Sequence, residues 1–254
     1  MLKYEINPIF LDLKDEIFAL PSRFEHEGKV IYRGRNLIKV MTLGNLQINV
    51  KSFKRPHILN RFVYAWLRKS KAERSYLNAM RLLDMEIGTP EPIAYLVYQG
   101  ASGVKRSYYI SIQQPCDYVL LDLLQQRPPD FDDLFRAYVR FVYDFHQKGV
   151  YFVDLSTGNT LLNREQGTDR FRFFLVDLNR INFHSRPLTP HEGVSNFCRI
   201  DLESKDLKFI VEEYAQLTGM SVSSLHQTLF RHKQKEEHRR QTKKFFRLFK
   251  KKKR

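Results

Sequence analysis

Asp154, Asn159 and Asp177 restrict what this chain can become more than any other feature. Asp154 and Asn159 lie five positions apart in Val153-Asp154-Leu155-Ser156-Thr157-Gly158-Asn159, just before the apolar Thr160-Leu161-Leu162. Asp177 ends the apolar run Phe173-Phe174-Leu175-Val176, as a buried strand does when it delivers a carboxylate. Gln166-Gly167-Thr168 supplies a turn between them. In front of the loop, Phe131 to Gly149 is acidic at its start, apolar at helical spacing, and closed by glycine. The segment therefore reads as a helix, a polar loop, and a short hairpin. Each motif alone is common, because Asp and Asn are ordinary turn residues. Their order and their 23-residue separation carry the specificity.

The first fifty residues are expected to be largely strands. Asn36 to Leu43 and Leu46 to Phe53 are β-branched runs joined by the two-residue hairpin signal Gly44-Asn45, and Phe24 to Ile31 is expected to pair ahead of them. From Pro56 to Asp84 the period changes. Leu59, Phe62 and Trp66, then Tyr76, Ala79, Met80 and Leu83, fall at three- and four-residue steps, predicting one or two amphipathic helices that stop at Gly88-Thr89-Pro90. Strands resume at Pro92 to Val97 and Ser107 to Ile112, and Asp117 to Gln125 reads as a short helix. A β-rich half with one main helix thus precedes a mostly helical half.

With 254 residues and 43% hydrophobic content, the chain can bury a core in one large domain or two compact lobes. Cys116 and Cys198 form no CxxC pair or metal cluster and are expected to be buried free thiols in a reducing compartment. Acidic residues interrupt the apolar runs of the first twenty residues, which excludes a signal-peptide pattern, and no run reaches the ~18 apolar residues of a membrane span. The expected localisation is cytoplasmic. Net charge is +15, and most of it sits between Arg231 and Arg254, where thirteen Lys or Arg oppose two Glu.

A carboxylate and an amide five positions apart on one loop, followed by a strand-borne carboxylate, are the parts phosphoryl transfer requires. One carboxylate orients the attacking hydroxyl, and an amide oxygen and a second carboxylate hold the metal on the phosphates. On this reading Asp154 is catalytic, while Asn159 and Asp177 are ligands for Mg²⁺, a hard ion that prefers oxygen.

The chain resembles the lipopolysaccharide kinase family, the Kdo-kinase-like and InaA-like members of the protein-kinase-like superfamily. The resemblance spans roughly residues 30–215. It is strongest at Lys71 to Tyr95, Gly149 to Leu162, Phe174 to Phe183, and Asn196-Phe197-Cys198-Arg199. It implies an α+β, bilobal protein-kinase-like fold with a β-rich N-lobe and a mostly helical C-lobe. It also implies ATP and Mg²⁺ as cofactors. Lys51 in Val50-Lys51-Ser52-Phe53 is similar to the lysine that holds the α/β-phosphates, with Lys39 on the preceding strand as its rival. Glu73 is similar to that lysine's acidic partner, although an acid one turn later, near Leu77, fits the pattern better, and a Glu at a helix start is also a favourable dipole contact. The chain departs from the superfamily in four places. Phe152-Val153 replaces His-Arg before Asp154, Asn179 replaces the glycine after Asp177, GxGxxG is absent, and no APE-type segment follows.

In the ending QTKKFFRLFKKKKR, Phe245, Phe246, Leu248 and Phe249 share one helical arc while Lys243, Lys244, Arg247 and Lys250 lie outside it. That pattern suits a helix lying in an anionic membrane interface rather than a nucleic-acid arm, so nucleic acid is not the expected partner. The expected organisation is an N-lobe over residues 1–113, a C-lobe over 114–230 and a basic amphipathic tail over 231–254. The resemblance implies a sugar hydroxyl, Kdo or heptose, of a lipid A–core glycolipid as acceptor, reached from the inner face of the bacterial inner membrane. A protein kinase of the same fold and a non-catalytic pseudokinase scaffold are the alternatives.

Overall fold

The computed structural model describes residues 1–54, 69–100, 103–165 and 170–252, with side chains described as far as residue 242. Strand β1 (Leu2–Ile6) leads into a 3₁₀ turn (Pro8–Leu13), helix α1 (Lys14–His26) and strands β2 (Lys29–Arg33), β3 (Asn36–Leu43) and β4 (Leu46–Phe53). Helix α2 (Lys71–Asp84) precedes β5 (Pro92–Gly100) and β6 (Gly103–Ile112). Then come β7 (Tyr118–Val119), α3 (Leu120–Gln126), α4 (Phe131–Gln147), β8 (Val150–Phe152), β9 (Thr160–Arg164), β10 (Phe171–Leu175) and β11 (Ile181–Phe183). The chain continues through α5 (Pro190–Ser195), a 3₁₀ turn (Asn196–Arg199), α6 (Ser204–Thr218) and α7 (Val222–Lys252). The fold is α+β, with a sheet-rich N-terminal part and a helical C-terminal part. Two compact units make it up: Met1–Cys116 with Phe174–Arg180, and Asp117–Phe173 with Ile181–Arg254.

The first unit is a six-stranded sheet in the order β1-β5-β6-β4-β3-β2, with neighbours antiparallel. The Gly44-Asn45 signal gives a two-residue turn that pairs Leu43 with Leu46 and sets the β3–β4 register. Successive side chains of β5 serve opposite faces. Ala94 and Leu96 pack with Ile48, Val50 and α1, while Tyr95 and Val97 pack with Phe53 and α2. Burial on both faces explains why Pro92–Val97 reads as an uninterrupted apolar run.

The expectation of largely strands in the first fifty residues, with Phe24 to Ile31 among them, is corrected at α1. Ile17, Leu20 and Phe24, at three- and four-residue steps, are its buried stripe. Pro21 inside the helix removes one backbone hydrogen bond, so burial against the sheet sustains what local propensity does not. Phe24 is consequently helical, and β2 begins only at Lys29. The expected helical segment around Leu59, Phe62 and Trp66 and the turn at 166–168 lie outside the described residues. The cysteines also differ from expectation: Cys116 is exposed and Cys198 only partly buried.

In the second unit, α4 buries Leu134, Phe135, Tyr138, Val139, Val142 and Phe145. Beside this core runs an ionic seam. Glu213 on α6 accepts from Arg136 at 2.5 Å and Arg140 at 2.8 Å, and both carboxylate oxygens of Asp206 accept from Arg127 Nη2, at 2.8 and 2.7 Å. Helix α7 is continuous over 31 residues, and its contacts with the unit run past Arg231. Lys233 Nζ donates to Ile200 O at 3.1 Å, and Arg240 Nη2 donates to Arg199 O at 3.2 Å. Among the described residues no helix is long and apolar enough to cross a membrane.

Candidate active site

In the first unit, the alternation of β4 puts Lys51 on the same face as Phe53, and its ammonium lies 5.4 Å from that ring. Lys51 Nζ donates to Asp177 Oδ1 at 2.6 Å across 126 sequence positions. The rival Lys39 is engaged at the end of α1. Its ammonium donates to Phe24 O at 2.6 Å and Glu27 O at 2.9 Å, satisfying the last carbonyls of that helix.

The Asp177 segment is anchored from three sides. Leu175 N donates to Gly88 O at 2.8 Å, Thr89 Oγ1 to Leu175 O at 2.9 Å, and Asn78 Nδ2 to Leu178 O at 2.6 Å. Asp177 itself adopts a left-handed φ of 60°, a strained conformation that Asp tolerates and that functional sites concentrate. Asn179, in place of the usual glycine, donates to Asp177 Oδ1 at 2.8 Å and so helps aim the carboxylate. Burial alone would push the Asp177 carboxyl up. The Lys51 charge and hydrogen bond, with Asn179 and the Lys71 charge, outweigh it and hold the group below the usual carboxylate range.

Glu73 lies elsewhere in this unit. It accepts from Lys3 Nζ at 2.7 Å, and Ser70 caps the helix by accepting from Glu73 N at 3.1 Å. At the turn where the better-spaced acid was expected stands Asn78, which holds the Asp177 segment instead. Sequence reasoning also passed over Lys71 at the first position of α2. Burial, then the charges of Arg35, Arg74 and Lys51, lower its pKa against the opposing pull of Asp177, so an excess of positive charge gathers near that carboxylate. The signal was available as a lysine at a helix N-terminus, a position that the helix dipole disfavours.

In the second unit, β8 delivers the Asp154 loop. Asn196 grips its last residue twice, accepting from Phe152 N at 3.2 Å and donating to Phe152 O at 2.8 Å. Behind Asn196, the buried His146 bonds Asn196 Oδ1 at 3.1 Å and Tyr214 Oη at 2.9 Å. The network assigns the proton to Nε2, since Asn196 Oδ1 only accepts. Gly193 is required here, because a Cβ would come within 1.9 Å of the Tyr214 hydroxyl. Gly149, at φ 76°, opens β8, and a Cβ there would meet two backbone carbonyl oxygens at 2.6 and 2.7 Å.

The loop closes on itself. Leu155 N donates to Phe152 O at 3.0 Å, Asn159 N to Ser156 O at 3.1 Å, and Asn159 Nδ2 to the Asp154 carbonyl at 2.9 Å. With its NH₂ group turned inward, Asn159 has its amide oxygen as the atom suited to a metal. Arg199 braces Asp154 in a way that the apolar Phe152 and Val153 cannot. Its Nη1 donates to Val153 O at 2.6 Å and to Asp154 Oδ1 at 3.1 Å. The sequence hid this role, because Arg199 lies 45 positions downstream rather than beside the aspartate.

No protein-family description and no curated protein matches the chain. Among solved structures, it is similar to WaaP in complex with acyl carrier protein, with a TM-score of 0.60 over 93% of this chain and 98% of that one. The fold is kinase-like. Sequence identity to that structure is 17%, so the likeness speaks for the fold alone.

Each unit by itself offers an oxygen donor suited to a hard divalent ion: in the first, the Asp177 carboxylate kept ionised by its cationic neighbours, and in the second, the amide oxygen of Asn159. Among the described residues there is no cluster of three His, Cys, Asp or Glu side chains that could hold a metal without help from other oxygens.

Proposed function

We propose that the chain is an ATP- and Mg²⁺-dependent kinase that phosphorylates a sugar hydroxyl, Kdo or heptose, of the lipopolysaccharide inner core. The observation that carries the reading is the 2.6 Å pair between Lys51 and Asp177. Two residues 126 positions apart meet as a phosphate-holding lysine and a metal-holding carboxylate do in a kinase-like fold.

In this reading Lys51 positions the α/β-phosphates, Asn159 and Asp177 hold Mg²⁺, and Asp154 accepts or orients the proton of the acceptor hydroxyl. The ion supplies charge stabilisation on the transferring phosphoryl group. Arg199 keeps the Asp154 carboxylate in one orientation. Glu73 acts on Lys3 and α2 rather than as the essential partner of Lys51. The acceptor class follows from the family resemblance. The basic tail within residues 231–254 supports attachment to the inner face of a membrane, with the lobe at 1–113 binding nucleotide and the lobe at 114–230 carrying the catalytic loop and metal site. By likeness to the WaaP complex, acyl carrier protein is a further partner to test.

The experiment is incubation with labelled ATP, Mg²⁺ and purified lipid A–core, wild type beside Asp154→Ala. Label is expected in the glycolipid with wild type only. Label in protein instead identifies a protein kinase, and no turnover with any acceptor identifies a pseudokinase.

A further inference from the structure

A basic groove lies between α7 and the segment formed by α5 and the 3₁₀ turn Asn196–Arg199, wholly within the second unit. Two adjoining cavities make it up. One, of about 330 Å³, is lined by His191, Thr228, Arg231, His232 and Lys235. The other, of about 210 Å³, shares His232 and Lys235 and reaches Val153 and Arg199, the residues that flank and brace Asp154. The groove is thus continuous with the base of the loop carrying the candidate catalytic aspartate.

Its chemistry is one-sided. Among the described residues, no carboxylate lines the larger cavity. Glu236 enters the smaller one, but Arg199 at 3.5 Å, Arg240 at 3.9 Å and Arg239 surround it. The floor is built rather than improvised, since His191 Nδ1 and the buried Thr228 Oγ1 are bonded at 2.9 Å. Burial first, and then the charges of Lys235 and Arg231, hold the His232 imidazole below its ordinary range. The larger cavity therefore holds positive charge with no carboxylate in its lining, and the Glu236 carboxylate of the smaller one is already engaged by three arginines. Arg231 and Lys235 together exceed what one carboxylate neutralises, and the larger cavity is of small-ligand size.

We infer that this groove binds a phosphomonoester on the acceptor and so seats the acceptor beside Asp154. The inference rests on the kinase reading for the word acceptor, but the binding site itself does not need transfer to occur. Arg supplies a planar fork for two phosphate oxygens and Lys a point charge.

The test is equilibrium binding of deacylated, phosphate-bearing lipopolysaccharide core oligosaccharide. Removing the fatty acids keeps membrane adsorption by the tail out of the signal. Wild type and the double variant Arg231→Ala/Lys235→Ala are compared. Alanine favours the exposed helix surface of α7, and unchanged thermal melting verifies the fold. The double variant is expected to bind at least tenfold more weakly than wild type, and phosphatase-treated oligosaccharide weakly to both. Orthophosphate is expected to compete only in large excess. Equal binding by the double variant, or undiminished binding of the phosphatase-treated sugar, overturns the site. Orthophosphate binding as tightly as the oligosaccharide overturns its role in holding the acceptor. If wild type transfers no phosphate while the double variant still loses binding, the kinase reading fails and the site stands.

Discussion

At the scale of single residues, two lysines of like appearance have opposite employment. Lys39 and Lys51 sit one strand apart, yet Lys39 satisfies carbonyls at the end of α1 while Lys51 pairs with Asp177. Lys51→Met is therefore expected to lower kcat/KM by about 100-fold or more, the scale of losing a preorganised charge at a transition state. Lys39→Met is expected to lower the melting temperature with little change in turnover by the molecules that remain folded. Steady-state kinetics and thermal melting of both variants check this, and equal activity losses would sink the assignment. Arg199 invites a sharper test. A hydrogen bond to a charged group contributes about 1.5–3 kcal/mol, so Arg199→Ala is expected to reduce kcat roughly 10- to 100-fold. The KM for ATP should stay near wild type, because Arg199 touches the Asp154 loop. Arg199→Lys should recover part of the loss, and a rise in KM alone would contradict a positioning role. The Lys51–Asp177 pair also has a pH consequence. A carboxyl held below its ordinary range stabilises the fold above the unfolded Asp pKa, and that contribution disappears as pH falls through the lower folded value.

At the scale of elements, the catalytic loop is held by a clamp that runs from α4 through the Asn196–Arg199 turn to β8. His146 is its buried centre, with a pKa pushed down to about 4 by burial, against the opposing effect of its bond to Asn196. The unfolded imidazole titrates near 6.5, so between that pH and about 4 the unfolded chain takes a proton that the native clamp refuses. Stability should fall with acidification across this window, by up to roughly 1.4 kcal/mol per pH unit from this group. Urea unfolding at several pH values should show a shallower fall for His146→Gln than for wild type, and parallel curves would exclude His146 as the source. Much of this architecture was legible beforehand. The strands joined at Gly44-Asn45, the helix Phe131–Gln147 and the loop around Asp154 follow from turn chemistry and period, which are local signals. Helix α1 was not legible, because Pro21 and interspersed acids broke its pattern and only tertiary burial of Ile17, Leu20 and Phe24 restores it. The pairing of Glu73 with Lys3 was equally hidden, since it depends on β1 lying next to β5 rather than on spacing within α2. Asn196 and Arg199 stood in a segment that drew attention, but their contacts with Phe152, Val153 and Asp154 span more than forty positions and leave no local trace.

At the scale of the whole molecule, the uneven charge separates two functions along one helix. The part of α7 before residue 242 packs on the second unit and carries Arg231 and Lys235 of the basic groove. Lys233, Glu236 and Arg240 tie it to Ile200 and Arg199, and through Arg199 to the Asp154 loop. Beyond residue 242 come eight Lys or Arg with Phe245, Phe246, Leu248 and Phe249 and no acidic residue. Each cation near an anionic bilayer contributes about 1 kcal/mol at low salt, so even a strongly discounted sum suffices for attachment. The two parts should therefore be separable by where the chain is cut. Removal of residues 243–254 is expected to abolish sedimentation with phosphatidylserine-containing vesicles while sparing phosphoryl transfer to a soluble, deacylated acceptor. Removal from Arg231 onward should abolish sedimentation and also strongly reduce transfer, because it deletes the Glu236 carboxylate that faces Arg199 together with Arg231 and Lys235 of the basic groove. Wild-type sedimentation should weaken steeply between low and physiological salt, whereas binding held mainly by the aromatic residues would resist it. If the shorter truncation still sediments, the membrane contact lies elsewhere on the protein. If the longer truncation keeps full transfer activity, α7 does not support the catalytic loop, and its contacts with Arg199 serve only packing.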